Sequence, residues 1–282
     1  MAVKKIAVLG AGTMGHGIAH AAMAAGFDTA LYDISDAAVG NGKSAIDAVI
    51  SKSVELGKAS QADAAAMRAR LRTTTVIADA VGDADVVIEA APEKIDLKLA
   101  LFKEAEAAAP VHAVFASNTS ALSITDMAAV LANPGRLGGM HFFNPVHRMK
   151  LIEVVKALDT TPEAIAVMQD VSARMGKETV LVKESPGFVT SRINAMIGNE
   201  AFYMLQDGVA SARDIDKALK LGLNHPMGPF ELVDLVGLDT RLSILQYLHR
   251  TLGEKFRPCP LLEKHVADGR LGRKVGRGVY DY

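Results

Sequence analysis

The stretch KKIAVLGAGTMGHGIAHAAMAAGFDTALYD, residues 4–33, decides the fold of this chain. Ile6–Leu9 is a short apolar run of the kind that a buried parallel strand requires. The glycines Gly10, Gly12 and Gly15 follow with G-x-G-x-x-G spacing. The first glycine permits a tight turn, the second lets the backbone approach a pyrophosphate, and the third lets the next helix pack against the strand. Because the N-terminus of that helix would face the anion, the stretch predicts a dinucleotide-binding unit.

A second apolar run follows the helix and ends in Asp33. A carboxylate at this point accepts hydrogen bonds from the ribose hydroxyls of an adenosine and repels a 2′-phosphate, so we predict NAD as the cofactor. Thr13 and Met14, between the second and third glycines, complete the predicted cofactor loop. The alternative is a glycine-rich turn that binds nothing. The succession of strand, helix, strand and acid in one unit argues against that alternative.

Strand-like apolar runs alternate with helical runs until about residue 183. This alternation predicts an α/β domain with a Rossmann-type, doubly wound and mostly parallel sheet. From Pro186 onward the pattern is helical only, with one long predicted helix over residues 229–249. We therefore expect two domains, a dinucleotide-binding domain over residues 1–185 and a smaller all-helical domain over residues 186–282.

The composition excludes several classes of function. A net charge of −1 over 282 residues gives no electrostatic reason to expect nucleic acid or an anionic membrane as a partner. No apolar run approaches the ~20 residues of a membrane span, and we find no signal-peptide pattern after Met1. The single cysteine, Cys259, cannot form an internal disulfide or a cysteine-based metal site, and we expect its thiol to be buried. Motifs of metal-dependent and serine hydrolases are absent, so we predict no catalytic metal. Because we find neither a signal-peptide pattern nor a membrane span, we expect a cytoplasmic protein.

Two residues on neighbouring predicted strands suggest acid–base chemistry. His141 lies at the end of one strand, after a glycine pair, and Glu153 lies on the next strand. A histidine beside a nicotinamide can accept the proton of an alcohol. A carboxylate on its other ring nitrogen would fix the tautomer and stabilise the imidazolium that forms. Because the chain has 8 histidines, a structural histidine without a catalytic role is the alternative.

Other strand ends carry further polar candidates. Ser120 ends the segment SNTS, where its hydroxyl either bonds a reacting oxygen or caps the next helix, a role for which Ser123 competes. Asn144 precedes a proline, so it either forms a turn or bonds the nicotinamide ribose. Glu93 and Lys98 open a helix beside the expected cofactor cleft, where a surface ion pair is the ordinary expectation.

A pair of helices is predicted between the second and third strands, and it carries Lys43, Lys52 and Lys58. A solvated helix face is the ordinary account of these lysines. The alternative is a basic contact for a substrate tail that bears phosphate.

Several motifs, in order along nearly the whole chain, carry a family resemblance: GAGTMG, SNTS, GGMHFFNPVHRMKLIEVV, SPGFVTSR, HPMGPFELVDLVGLDT and LGRKVGRGVYDY. Together they resemble the NAD-dependent (S)-3-hydroxyacyl-CoA dehydrogenases, and among these the short bacterial 3-hydroxybutyryl-CoA dehydrogenases. The resemblance implies reversible oxidation of a short-chain (S)-3-hydroxyacyl-CoA to the 3-oxoacyl-CoA with NAD. It also implies a homodimer formed through the helical domain, which would cover the substrate cleft.

The resemblance also implies roles for individual residues. His141 would be the general base for the C3 hydroxyl and Glu153 would orient His141. Ser120 would bond near both the substrate oxygen and the nicotinamide of the cofactor. The family's cofactor fingerprint matches Gly10, Gly12, Gly15 and Asp33. Positions that contact NAD in the family correspond to Glu93, Lys98, Asn144 and Lys274.

The chain departs from the family pattern at one position. Many members have an asparagine that helps to hold the substrate carbonyl, and this chain has Ser191 there. Either Ser191 acts through its hydroxyl, or Asn194 on roughly the same helix face replaces the missing amide. We assign the role to Ser191, and we keep Lys52 as a candidate for the CoA tail.

Two other functions are compatible with the same fold. One is an NAD-dependent dehydrogenase of a free hydroxy acid or sugar acid. The other is a non-catalytic protein that binds NAD(H), because a fold alone does not establish an activity.

Overall fold

The structure is a computed structural model that describes residues 2–282. The chain forms two compact units: the first ends at Glu184 and the second spans Ser185–Tyr282. Each unit has its own apolar core.

The first unit is built on one sheet of eight strands. They are β1 (Lys5–Leu9), β2 (Asp28–Tyr32), β3 (Leu71–Thr74), β4 (Val86–Glu89), β5 (Val114–Ser117), β6 (Leu137–Phe142), β7 (Leu151–Lys156) and β8 (Glu178–Lys183). The helices are α1 (Thr13–Ala24), α2 (Asp36–Glu55), α3 (Gln61–Arg68), α4 (Ile77–Val81), α5 (Ile95–Ala108), α6 (Ile124–Ala128) and α7 (Pro162–Arg174), with a 3₁₀ turn at Pro134–Arg136.

The strand order is β3-β2-β1-β4-β5-β6-β7-β8. Every neighbouring pair is parallel except β6 and β7, which are antiparallel. The chain leaves β1 toward β2 on one side and returns to β4 on the other. The carboxyl end of the sheet between β1 and β4 is therefore the switch point at which such folds bind ligands. The predicted α/β, doubly wound sheet is confirmed.

The central strands are buried on both faces, which explains why they read as unbroken apolar runs. Two glycines in β6 permit close packing. A Cβ on Gly138 would lie 2.6 Å from Met168 Cε, and one on Gly139 would lie 2.5 Å from Ile124 Cδ1. Ser35 caps α2, since its Oγ accepts the N–H of Ala38 at 3.2 Å.

The second unit is helical, as expected. It contains α8 (Thr190–Gln206), α9 (Ala212–Gly222), α10 (Pro229–Val236), α11 (Leu238–Leu252) and α12 (Pro260–Ala267), with 3₁₀ turns at Glu254–Phe256 and Arg273–Val275. The predicted single helix over residues 229–249 is wrong, because the chain breaks it at Gly237. This glycine has φ of 107°, and a Cβ on it would lie 2.8 Å from Asp239 Oδ1. Few residues other than glycine adopt this backbone conformation.

Two buried carboxylates hold the last residues of the second unit. Asp234 accepts the backbone N–H groups of Val279 and Tyr280 at 2.8 and 2.9 Å. Asp216 accepts the hydroxyl of Tyr280 at 2.7 Å. Burial raises the pKa of the Asp216 carboxyl, and its hydrogen bonds act against that rise.

Candidate active site

The single antiparallel pairing in the sheet brings the predicted acid–base pair together. The register of β6 and β7 sets His141 directly opposite Glu153. His141 Nδ1 lies 2.7 Å from Glu153 Oε2, and the two side chains are 7% and 0% exposed. Because a carboxylate oxygen accepts, the hydrogen of this bond is assigned to Nδ1. Protonation of the imidazole therefore takes place at Nε2.

The end of β5 braces the end of β6. Asn118 Oδ1 accepts the backbone N–H of Phe142 at 2.9 Å, so the segment SNTS lies beside the strand end that carries His141. The cap of α6 is Ser123, whose hydroxyl accepts the N–H of Asp126 at 3.1 Å. Ser120 is thus not the cap, and its own N–H donates to Glu93 Oε1 at 3.1 Å.

Glu93 and Lys98 do form an ion pair, but its expected surface location is wrong, because the lysine is buried. Lys98 is 1% exposed, and its amine lies 2.6 Å from Glu89 Oε1, a carboxylate that is itself fully buried. Glu93 is a second and more distant partner at 3.3 Å. Sequence reasoning missed Glu89 because it ends an apolar strand. A carboxylate at such a position needs a buried partner, and this was the available signal.

The cofactor loop has the geometry that the glycine spacing predicts. Gly10 has φ of 108°, and a Cβ on it would lie 2.7 Å from the carbonyl oxygen of Ala90. A Cβ on Gly15 would lie 1.7 Å from the carbonyl oxygen of Gly10, so α1 packs tightly against the turn. Gly12 caps α1 without any side-chain hydrogen bond, and space is open around its Cα. The first N–H groups of α1 are therefore available to an anion.

Asp33 stands at the end of β2, opposite this loop. Its Oδ2 accepts the N–H of Ala11 at 2.7 Å, and its Oδ1 accepts the N–H of Ile34 at 2.8 Å. The carboxylate thus ties the glycine turn to the strand at which a ribose would bind. A cavity of about 400 Å³ lies here, lined by Gly10, Gly12, Thr13, Met14, Tyr32, Asp33, Ile34, Ala90, Ala91, Pro92, Leu97 and Leu101. An apolar cleft with an open helix N-terminus and one acid fits an adenosine diphosphate without a 2′-phosphate.

A second cavity, of about 570 Å³, is basic. It lies between α2 and the loop after β6, and its lining is His20, Ala48, Val49, Lys52, Ser53, Leu56, Lys58, His147 and Arg148. Lys52 also contacts Glu55 at 2.8 Å on the exposed helix surface. Burial, with the charges of His147, His16 and Lys177, lowers the pKa of His20 to about 4. Sequence reasoning found the lysines of this cavity and missed its histidines and arginine.

The other predicted site residues are Asn144, in the first unit, and Ser191, Asn194 and Lys274, in the second. Asn144 is exposed and joins Pro145 through a cis peptide bond. Ser191 and Asn194 lie in the first turn and a half of α8, in the second unit, where both are partly buried. Lys274 Nζ, in the same unit, is bound by both carboxylate oxygens of Asp239 at 2.6 Å.

Cys259 is buried, as expected, and burial raises the pKa of its thiol. Residues 2–282 contain no group of three or more His, Cys, Asp or Glu side chains that could hold a metal ion. Over the same residues, no helix is long and apolar enough to span a membrane.

A glycine-rich cleft with an acid at the end of β2 and a paired histidine and glutamate on β6 and β7 is typical of NAD-dependent dehydrogenases. The profile of the 3-hydroxyacyl-CoA dehydrogenase NAD-binding domain matches residues 5–185, and that of the same family's C-terminal domain matches residues 187–282. The chain belongs to the 3-hydroxyacyl-CoA dehydrogenase family. The predicted family and the predicted cofactor, NAD, are confirmed.

Two relatives span both domains. The chain is 44% identical to a probable 3-hydroxybutyryl-CoA dehydrogenase of Bacillus subtilis (strain 168), over 100% of this chain and 98% of the relative. The crystal structure of (S)-3-hydroxybutyryl-CoA dehydrogenase from Ralstonia eutropha matches with a TM-score of 0.97 at 42% identity, over 100% of this chain and 99% of that one. Family membership over the whole chain argues against the non-catalytic alternative.

Proposed function

We propose that this enzyme catalyses the reversible, NAD-dependent oxidation of a short-chain (S)-3-hydroxyacyl-CoA, such as 3-hydroxybutyryl-CoA, to the 3-oxoacyl-CoA. The observation that carries the proposal is the 2.7 Å contact between His141 and Glu153 in a dinucleotide-binding unit. The printed names of the two relatives support the substrate class.

His141 is the general base of the proposed reaction. Because Nδ1 is hydrogen-bonded to Glu153, Nε2 accepts the proton of the C3 hydroxyl. The buried Glu153 carboxylate stabilises the imidazolium, since opposite charges attract more strongly in surroundings of low polarity. Bound NAD⁺ would supply the acceptor for the hydride of C3. In the reductive direction His141 returns its proton to the substrate oxygen.

Ser120 is the proposed second contact of the reacting oxygen. It follows the β5 end that braces β6, and its helix-capping alternative is removed by Ser123. A hydroxyl that donates to the developing alkoxide would lower the barrier in both directions. We propose that Ser191 holds the thioester carbonyl, with Asn194 as its competitor on α8.

The cofactor contacts follow from the two sides of the cleft. The open N-terminus of α1 after Gly12 would bind the pyrophosphate, and Asp33 would accept the ribose hydroxyls. Thr13 and Met14 line the same cavity. Contacts of Glu93, Asn144 and Lys274 with the cofactor remain predictions of the family resemblance.

The basic cavity favours a CoA thioester over a free acid. Lys52, Lys58 and Arg148 supply cations around a space large enough for a phosphorylated nucleotide. A free hydroxy acid carries a single carboxylate, whereas the phosphates of CoA carry several negative charges that these cations can pair. We therefore assign this cavity to the phosphate-bearing end of CoA, which gives Lys52 a place in the site.

A homodimer formed through the second unit is part of the proposal. Several large apolar side chains of this unit are exposed, among them Leu221 at 76% and Leu223 at 66%. A second copy that covers them would remove apolar area from water. We place the enzyme in the cytoplasm, where a chain whose one cysteine is a free thiol needs no oxidising compartment.

The decisive experiment follows NADH consumption with acetoacetyl-CoA, beside matched reactions with free acetoacetate and with NADPH. We expect rapid turnover only with the thioester and NADH. Turnover of free acetoacetate at a comparable kcat/KM would favour the free-acid dehydrogenase. NADH binding without turnover of either substrate would refute the proposal.

A further inference from the structure

The amine of Lys98 is enclosed by three acceptors inside the first unit. It lies 2.6 Å from Glu89 Oε1, 3.1 Å from the carbonyl oxygen of Ala91 and 3.3 Å from Glu93 Oε2. These three groups belong to the end of β4 and to the connection into α5. Because this lysine is 1% exposed and makes three such contacts, its amine is fixed in position.

Glu89, the nearest partner of this lysine, is itself held by further hydrogen bonds. Its Oε1 also accepts the N–H of Ala91 at 2.6 Å, and its Oε2 accepts the hydroxyl of Ser117, at the end of β5, at 2.6 Å. A buried ion pair is costly unless further hydrogen bonds satisfy both partners, and here they do. The pair therefore joins the ends of β4 and β5 into one rigid polar cluster.

Glu93 carries the contact from this cluster to the active-site loop. One of its oxygens faces Lys98, and the other accepts both the hydroxyl of Thr119 and the N–H of Ser120, the latter at 3.1 Å. The buried hydroxyl of Thr119 also accepts the N–H of Leu122 at 2.9 Å. Glu93 thus holds the N–H of Ser120 directly, and it holds the backbone after Ser120 through the hydroxyl of Thr119.

We propose that Glu93 and Thr119, held by the Lys98–Glu89 pair, are positioning residues that fix the Ser120 hydroxyl for the reacting oxygen. The inference rests on the proposed function of Ser120, and it gives Lys98 a role in the protein interior. A hydroxyl displaced by about 1 Å would stabilise the transition state much less. Loss of the contacts that Glu93 and Thr119 make should therefore lower kcat.

The test is a double-mutant cycle on reduction of acetoacetyl-CoA. Thr119→Val removes the hydroxyl with little change in shape, and we expect kcat to fall about tenfold while the KM for NADH stays within about twofold. In a Ser120→Ala background the same substitution should change kcat by less than about twofold, because nothing is left to position. Thr119→Ser, which keeps the hydroxyl, should restore kcat to within about threefold.

Equal losses from Thr119→Val in both backgrounds would overturn the inference, because the residue would then act on the fold in general. If Thr119→Val does not fold, Thr119→Ala replaces it, since this substitution removes the same hydroxyl and puts no new methyl group beside Glu93. Its loss of kcat must likewise disappear in the Ser120→Ala background, and an undiminished loss overturns the inference. Absence of turnover in the wild-type enzyme would instead refute the proposed function, and this inference with it.

Discussion

In the proposed mechanism Glu153 contributes to His141 in two separable ways, by fixing the ring and by stabilising its protonated form. His141→Ala should lower kcat by about 10³-fold or more with NADH affinity nearly unchanged, because the proposed general base is lost. Glu153→Gln keeps a hydrogen-bond acceptor and loses the charge, so we expect a smaller fall of about 10²-fold. Steady-state kinetics and NADH titration measure both effects. Glu178→Gln, at the exposed start of β8, is the control, and turnover of His141→Ala at the wild-type rate would remove this residue from the mechanism.

Asp33 has a mechanical role beside its electrostatic one, since it holds the N–H of Ala11 at 2.7 Å. Asp33→Asn keeps an acceptor and removes the charge that repels a 2′-phosphate. We expect the preference for NADH over NADPH, measured as the ratio of kcat/KM values, to fall by about tenfold or more. Asp36→Asn, in the exposed first turn of α2, should leave the ratio unchanged. An unchanged ratio in Asp33→Asn would contradict the ribose assignment.

His20 makes the stability of the protein sensitive to acid. Its pKa is about 4 in the folded protein and 6.5 as the ordinary value, and its Nδ1 is buried without a hydrogen-bond partner among residues 2–282. As the pH falls, His20 therefore becomes protonated in the unfolded chain at a higher pH than in the folded protein. Stability that is complete above pH 6.5 is lost progressively toward pH 4, by up to about 3 kcal/mol. Urea denaturation between pH 7.5 and 4.5 should show a smaller loss in His20→Leu, and equal losses would exclude this residue as the cause.

Gly237 separates two helices that an apolar pattern alone would join. Its φ of 107° and ψ of 130° lie in a region that is nearly restricted to glycine. Gly237→Ala should lower the free energy of unfolding by about 2–3 kcal/mol, because strain adds to a 2.8 Å contact with Asp239 Oδ1. Gly208→Ala is the control: its φ is 71° and its Cα faces open space, so we expect a loss of about 1 kcal/mol. Equal losses in chemical denaturation would show that the break does not depend on glycine.

The elements that sequence predicts well are those whose signal is local. Each central strand buries both faces, so its apolar run is visible without any partner, and Ser35 marks the start of α2 by a contact three residues along. The contacts that prediction missed join residues far apart in sequence. Thr119 and Glu93 meet across two strand ends, and no pattern around either residue specifies the other.

At the scale of the molecule, the sequence predicted a set of site residues at strand ends. It did not predict whether strands β6 and β7 pair in a parallel or an antiparallel direction. The antiparallel register of β6 and β7 sets the two members of the dyad opposite each other, and apolar periodicity does not distinguish this arrangement from a parallel one. Part of the basic cavity was missed for a related reason. Lys52 lies on α2 and Arg148 lies in the loop after β6, and these two segments come together only in the folded unit.

The proposed dimer is also a prediction at this scale. Leu223→Asp puts a charge on an apolar surface that a second copy would cover, so the dissociation constant should rise by about 30-fold or more. Sedimentation velocity at several protein concentrations measures this change. Val111→Asp, at a still more exposed position in the first unit, should leave the assembly unchanged. A wild-type protein that sediments as a monomer at every concentration would refute the dimer.

Because β6 and β7 form a hairpin, His141, Glu153 and the loop residues His147 and Arg148 all lie on one uninterrupted segment, residues 137–156. A recombination event or a synthetic graft that exchanges this segment would move the proposed base, its carboxylate and one wall of the basic cavity together. The proposed chemistry and part of the proposed substrate selection would therefore be exchanged as one unit.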